Sequence, residues 1–199
     1  MSKLVQELGL VLQDPLDYGP RFHDQQGSKV NAAVLALFSG PSLLESEILL
    51  IKRSLTVVTH AGQVALPGGG VEDVDQNDCV ATALRETYEE VGLQPQGMSV
   101  VGLLPSFPTV SGGYFVSPVL GVADRDTRSL SFNLDSREVG RCAWVSVSEL
   151  KATRSLEKHM VRGVEMELPF FQWGEEKMWG LTALIFDLIL RRYDNLKVC

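Results

Sequence analysis

Cysteine is scarce in this 199-residue chain: there are three, at positions 79, 142 and 199, odd in number, widely spaced and without a Cys-x-x-Cys pair. That leaves no basis for a zinc site or a disulfide framework, and makes a reducing compartment the simplest setting. Positive charge is also in short supply. Eighteen Lys and Arg face 25 Asp and Glu, for a net charge of −7 and a pI near 5.0, a balance that argues against a nucleic-acid-binding surface. Lys52-Arg53 is a local cluster able to meet a phosphate. Long apolar runs are missing too. The stretch Lys3 to Leu12 is too short and too interrupted to span a bilayer, and it lacks the charge and cleavage pattern of a signal peptide. The ending Leu196-Lys197-Val198-Cys199 is neither a peroxisomal address nor a prenylation box. Cytoplasm is the expected compartment, with no membrane partner.

Repeats, low-complexity tracts and linkers are absent as well, so one globular domain is expected, its 45% hydrophobic content enough for a sizeable core. A helix is predicted over about 2–13, followed by a polar loop containing Pro15, Gly19 and Pro20. Apolar strands are predicted at Val30–Phe38 and Glu47–Arg53, with a turn between them. Residues 54–77 read as a long loop, which a compact domain retains for function. A helix capped by Asn77 or Asp78 should run to Gly92. Strands follow at about 97–104, 114–123 and 138–147, then a short helix at Val147–Lys151 with Ser146 as N-cap, a hairpin around Gly163 and a last helix over about 177–192. In that helix Trp179, Leu181, Leu184, Ile185, Leu188 and Ile189 recur at helical spacing and read as a core face, although Trp179 has a stacking role on adenine as its alternative.

Chemistry concentrates in two segments, Pro67-Gly68-Gly69-Gly70 and Arg85-Glu86-Thr87-Tyr88-Glu89-Glu90-Val91-Gly92-Leu93. On a helix Glu86, Glu89 and Glu90 stand at i, i+3 and i+4, so their carboxylates share one face. An acidic triplet alone usually reads as a solvated surface, but like charges at i, i+4 repel, and a glycine loop upstream supplies a place for a cation to gather them. Arg85, four residues before Glu89, is placed to fix that side chain.

These two segments resemble the box of the Nudix hydrolases: glycine, acidic residue, then Arg-Glu-(aliphatic)-x-Glu-Glu-x-Gly-(aliphatic). Two departures stand out. Thr87 occupies the aliphatic position, and the interval from Gly69 to Arg85 is two residues longer than standard, with Asp75 or Glu72 in the acidic slot. The resemblance implies an α/β fold, an α/β/α sandwich with a mixed sheet, in a domain over 30–199 preceded by an N-terminal helix and loop over 1–29. It implies Mg2+ or Mn2+ held by Glu86, Glu89, Glu90 and a backbone carbonyl at Gly69, with Arg85 and the three glutamates as catalytic residues. Glu138 is a further candidate ligand or base, surface exposure being its plainer reading.

Leu49-Leu50-Ile51-Lys52-Arg53-Ser54, Gly62 and Leu66-Pro67-Gly68-Gly69 resemble the signature of the coenzyme A diphosphatase branch. Ile51 and Leu66 replace Thr and Phe, and Val58 stands where the branch has a second arginine, removing a bidentate phosphate donor. Thr109–Val119 and Met178-Trp179-Gly180-Leu181-Thr182 extend the similarity. Lys52, Arg53, His60, Gly68 and Gly69 are the candidate substrate-binding residues, His60 and Arg53 each having a plain structural alternative. The expected substrate is a small nucleoside diphosphate derivative, coenzyme A or an acyl-coenzyme A, with ADP-ribose, a dinucleotide or an oxidised nucleotide as alternatives. A non-catalytic nucleotide sensor and a structural interaction protein are the readings outside catalysis. The pattern is compatible with a homodimer.

Overall fold

A computed structural model describes residues 2–13, 30–109, 115–124, 129, 131–161 and 163–196. The predicted loop with Pro15, Gly19 and Pro20, the centre of the Thr109–Val119 motif and the last three residues lie outside that set.

The central strand β1 (Val30–Ser39) lies parallel to β7 (Phe115–Ala123), whose other edge carries β5 (Met98–Leu103) and β6 (Phe107–Pro108) antiparallel. β2 (Glu47–Arg53) meets β1 only at Phe38↔Ile48 and Ser39↔Glu47 before the two diverge. The opening wedge is filled by the glycine loop. β3 (Val64–Ala65) pairs with β2, and β4 (Gly68–Gly70) pairs with Ala32–Val34 of β1. On its far edge β2 pairs with β8 (Val139–Ser146), where one extra residue bulges opposite Lys52/Arg53.

Alternation along these strands builds two cores. Ala33, Leu35, Leu37, Leu49 and Ile51 face α2 (Cys79–Val91), while Ala36, Phe38, Ile48 and Leu50 face the layer of α1 (Lys3–Gln13) and α4 (Gly180–Leu196). The result is an α/β/α sandwich on a mixed sheet. α3 (Val147–Ala152) follows β8 directly, with Ser146 Oγ accepting from the Glu149 amide. A second antiparallel sheet of β9 (Ser155–Val161), β10 (Val164–Trp173) and β11 (Glu176–Met178) packs through Phe171, edge-to-face with Phe186 of α4 at 4.9 Å between centroids.

Two expectations are corrected. Residues 54–77 are not all loop, because the register of β1 imposes strand geometry on 64–65 and 68–70 where a glycine run shows no strand pattern. The last helix begins at Gly180, three residues later than predicted, since 176–178 pair with β10; Trp179 therefore precedes the helix and is 45% exposed instead of packed in the core.

Candidate active site

α2 is cut to length by its ends. Asp78 caps it, its side chain accepting from the Val80 amide, and Gly92 closes it with φ 75°. Thr87, where an aliphatic residue is usual, is fully buried, and its hydroxyl donates to the Ala83 carbonyl at 2.7 Å, so no polar atom is stranded. The helix lies against β4, and only glycine permits the approach. A Cβ at Gly69 would stand 2.5 Å from the Glu86 carboxyl group, and one at Gly68 (φ 152°) 2.3 Å from the Ala33 carbonyl oxygen.

Arg85 organises this face. Its five N–H groups are all used: Nε and Nη2 on the two oxygens of Asp75 at 2.9 Å, Nη1 on Glu86 at 3.0 Å and Glu89 at 2.9 Å, and Nη2 also on the Gly70 carbonyl at 2.9 Å. Asp75 is the acidic-slot residue that meets Arg85. Only 3% exposed, it also accepts from Thr82 Oγ1 and the Glu72 amide, and the Arg85 guanidinium holds its carboxyl far below the usual range. Glu72 completes a reciprocal cap around the Asp73–Asp75 turn. Arg85 thus fastens the glycine loop to two of the three helix carboxylates.

Glu90 sits deepest, 2% exposed. Its Oε2 accepts from the Gly68 amide at 3.0 Å, while Oε1 makes no hydrogen bond and lies 3.5 Å from Nη1 of Arg53, whose Nε is likewise buried without a partner. Burial pushes the Glu90 carboxyl up to about 7, against the pull of the Gly68 amide and Arg53, with Glu86 and Glu138 adding repulsion. Burial raises Glu86 as well, opposed by Arg85 and reinforced by Glu89 and Glu138. Glu138 is exposed on the rim and is electrostatically coupled to both. The segment is tied down by the Ser54 amide, which donates to the Glu138 carbonyl at 2.7 Å.

The chain's match to the NUDIX domain model runs over residues 28–164, more than half its length. It belongs to the Nudix family. An uncharacterized Nudix hydrolase NudL of Photorhabdus laumondii is 39% identical over 147 residues, covering 73% of this chain and 76% of that protein. The Escherichia coli K12 protein of the same description is 35% identical, over 72% and 74%. Among solved structures, a MutT protein from Methanosarcina mazei shares the fold with a TM-score of 0.53 at 20% identity, over 84% of this chain and 94% of that one. A C. elegans Ap4A hydrolase does so with 0.51 at 16%, over 84% and 99%. Nudix enzymes are pyrophosphohydrolases of small nucleoside diphosphate derivatives and generally use divalent cations.

The residues suit such a cation. Glu90 presents a buried oxygen with no hydrogen bond, Glu86 lies flush against Gly69, and an all-oxygen donor set is that of a hard ion. Among the described residues, no three Asp, Glu, His or Cys side chains already form a metal cage. Arg85 draws Glu86 and Glu89 to itself, and Gly68 holds Glu90.

Of the candidates for substrate binding, Arg53, Gly68 and Gly69 lie at this site; two others do not. Lys52 points to the opposite face of β2, as consecutive strand residues must, and its Nζ lies 2.5 Å from Glu176 of β11. His60 is exposed in left-handed backbone (φ 57°), with Nδ1 3.1 Å from Gln63 Oε1, an interaction that orders its own loop. Val58 is fully exposed on that loop. Asp75 and Glu176, the partners of Arg85 and Lys52, are the residues whose roles sequence reasoning left undefined. For Lys52 the signal was available in strand parity.

Proposed function

We propose that this Nudix enzyme hydrolyses the pyrophosphate bond of coenzyme A or an acyl-coenzyme A, giving 3′,5′-ADP and a 4′-phosphopantetheine derivative. The observation that carries the site is the buried Glu90 oxygen that faces Arg53 and the glycine loop without a hydrogen bond; the branch assignment rests on the Leu49–Ser54 and Leu66–Gly69 signature. Glu86, Glu89, Glu90 and the Gly69 carbonyl would hold Mg2+ or Mn2+, which when bound neutralises charge on the pyrophosphate oxygens and acidifies water. Arg53 is the cation facing the carboxylates and is positioned to orient a phosphate once Glu90 turns to other work. Arg85, with every donor engaged, acts as a positioning residue. Glu138 makes no side-chain hydrogen bond among the described residues, and we assign it the proton from the attacking water.

Val58 favours one second reading. Without the branch arginine a substrate lacking the coenzyme A 3′-phosphate, such as ADP-ribose, loses less. Incubation with Mg2+ and coenzyme A, acetyl-coenzyme A, ADP-ribose, a dinucleotide and an oxidised nucleotide, with products weighed by mass spectrometry in heavy-oxygen water, separates the readings. The coenzyme A reading requires 3′,5′-ADP as the dominant product with label in one phosphate. Turnover confined to ADP-ribose overturns it.

A further inference from the structure

We propose that β9 is the interface of a two-fold symmetric homodimer, in which the strands of two copies pair antiparallel about Lys158 and join two three-stranded sheets into one of six. The inference is independent of the substrate reading. In the order β11-β10-β9, strand β9 is the outer strand, and among the described residues it has no strand partner on its outward edge. Seven residues long, it contains no proline and no bulge, two of the devices by which edge strands usually resist pairing. Its one lysine, Lys158, is neutralised within the chain by Glu165 at 2.9 Å.

The sequence of the strand selects the register. A two-fold axis perpendicular to the sheet keeps faces matched, so residue i meets j with i + j even. Centring on Glu157 sets Leu156 against Lys158, and centring on His159 sets Lys158 against Met160, so each leaves an apolar side chain facing a charge. Centring on Lys158 pairs Leu156 with Met160 of the second copy on one face, and Glu157 with His159 on the other. Apolar meets apolar and acid meets imidazole, twice each by symmetry. The two apolar residues are among the large side chains this molecule leaves open, Leu156 at 46% and Met160 at 68% exposed. The opposed Lys158 pair keeps its Glu165 partners, with Glu167 directly across β10 from each. Within one chain Glu157 already attracts His159 at 3.3 Å and Lys177, so the same complementarity is extended across the axis.

Sedimentation and amide hydrogen exchange on the full chain test the assignment together. The expected result is a mass that doubles between low- and high-micromolar protein, with amides of 155–161 gaining protection as it does. Leu156→Asp/Met160→Asp, which sets carboxylates opposite each other at two exposed positions, should remain monomeric at every concentration. A wild-type protein that stays monomeric throughout overturns the proposal. So does a dimer whose 155–161 amides exchange at the monomer rate, a measurement that needs no variant.

Discussion

Glu90 carries opposing demands within one side chain. Its burial favours the neutral acid, while its position between Gly68 and Arg53 and its bare Oε1 suit an anion that a cation would complete. Glu90→Gln keeps the shape and an acceptor for the Gly68 amide while removing the charge. We expect kcat/KM to fall about a thousandfold, equivalent to roughly 4 kcal/mol of transition-state stabilisation. The same variant should unfold no earlier than wild type in cation-free buffer at pH 8, because the charge it removes is one that burial opposes. Steady-state kinetics and a thermal melt on one preparation read both. A rate near wild type at saturating Mg2+ sinks the ligand assignment, whereas a low rate accompanied by a collapsed melting temperature points to damage and not chemistry. Lys52 and Arg53 show the same sensitivity to a single residue's direction. The dipeptide reads as one basic cluster, yet the period of two sends the cations to opposite faces, one to Glu176 and the other to Glu90.

At the scale of elements, α2 was legible because its signals are local: Asp78 and Gly92 mark its ends, and the i, i+3, i+4 glutamates mark its working face. The glycine loop was legible as a functional segment but not as strand, since β4 owes its form to Ala32–Val34 alongside and Gly68–Gly70 has no side-chain pattern of its own. The start of α4 was misplaced for a related reason. Residues 177–179 fit the helical period, but long-range pairing of 176–178 with β10 overrides it, which carries Trp179 out to solvent. The join between α2 and the loop is Arg85, and it predicts the behaviour of Arg85→Lys. An ammonium cannot reproduce the fork that reaches Asp75, Glu86, Glu89 and the Gly70 carbonyl at once, so Asp75 is left buried and under-paired. The expected cost is about 3 kcal/mol, seen as a lower urea midpoint at unchanged slope. Activity should fall with it, since the glutamates lose their fixed positions. An unchanged midpoint means that the fork does not hold the loop. Asp78→Ala, which loses only the cap, should cost about 1 kcal/mol by the same measurement.

For the whole molecule, the titrating groups of the site set a stability profile of unusual shape. Asp75 is held below its ordinary range in the folded state, so its contribution is complete above the unfolded value near 3.8 and is lost as pH falls through the folded one. Glu90 has the opposite sign. Its folded value near 7 exceeds the unfolded 4.5, so the folded protein binds the extra proton between those limits and loses stability as pH rises through them, with no further loss above. Across that window the loss from Glu90 is about 3 kcal/mol, and Glu86, also raised, adds in the same direction. In the presence of a chelator the melting temperature should therefore fall between pH 5 and pH 7.5, where many proteins are near their maximum. Glu90→Gln should flatten most of that slope. Divalent cation should reverse it, because the ion binds the ionised carboxylates and competes with the protons, so the upward shift in melting temperature at fixed Mg2+ grows with pH. Melts at half-unit pH steps, with chelator and with Mg2+, give the test. A chelated wild-type protein that gains stability from pH 5 to 7.5, or a Mg2+ shift that shrinks over the same range, shows that buried Glu90, half-buried Glu86 and the cation do not share one site.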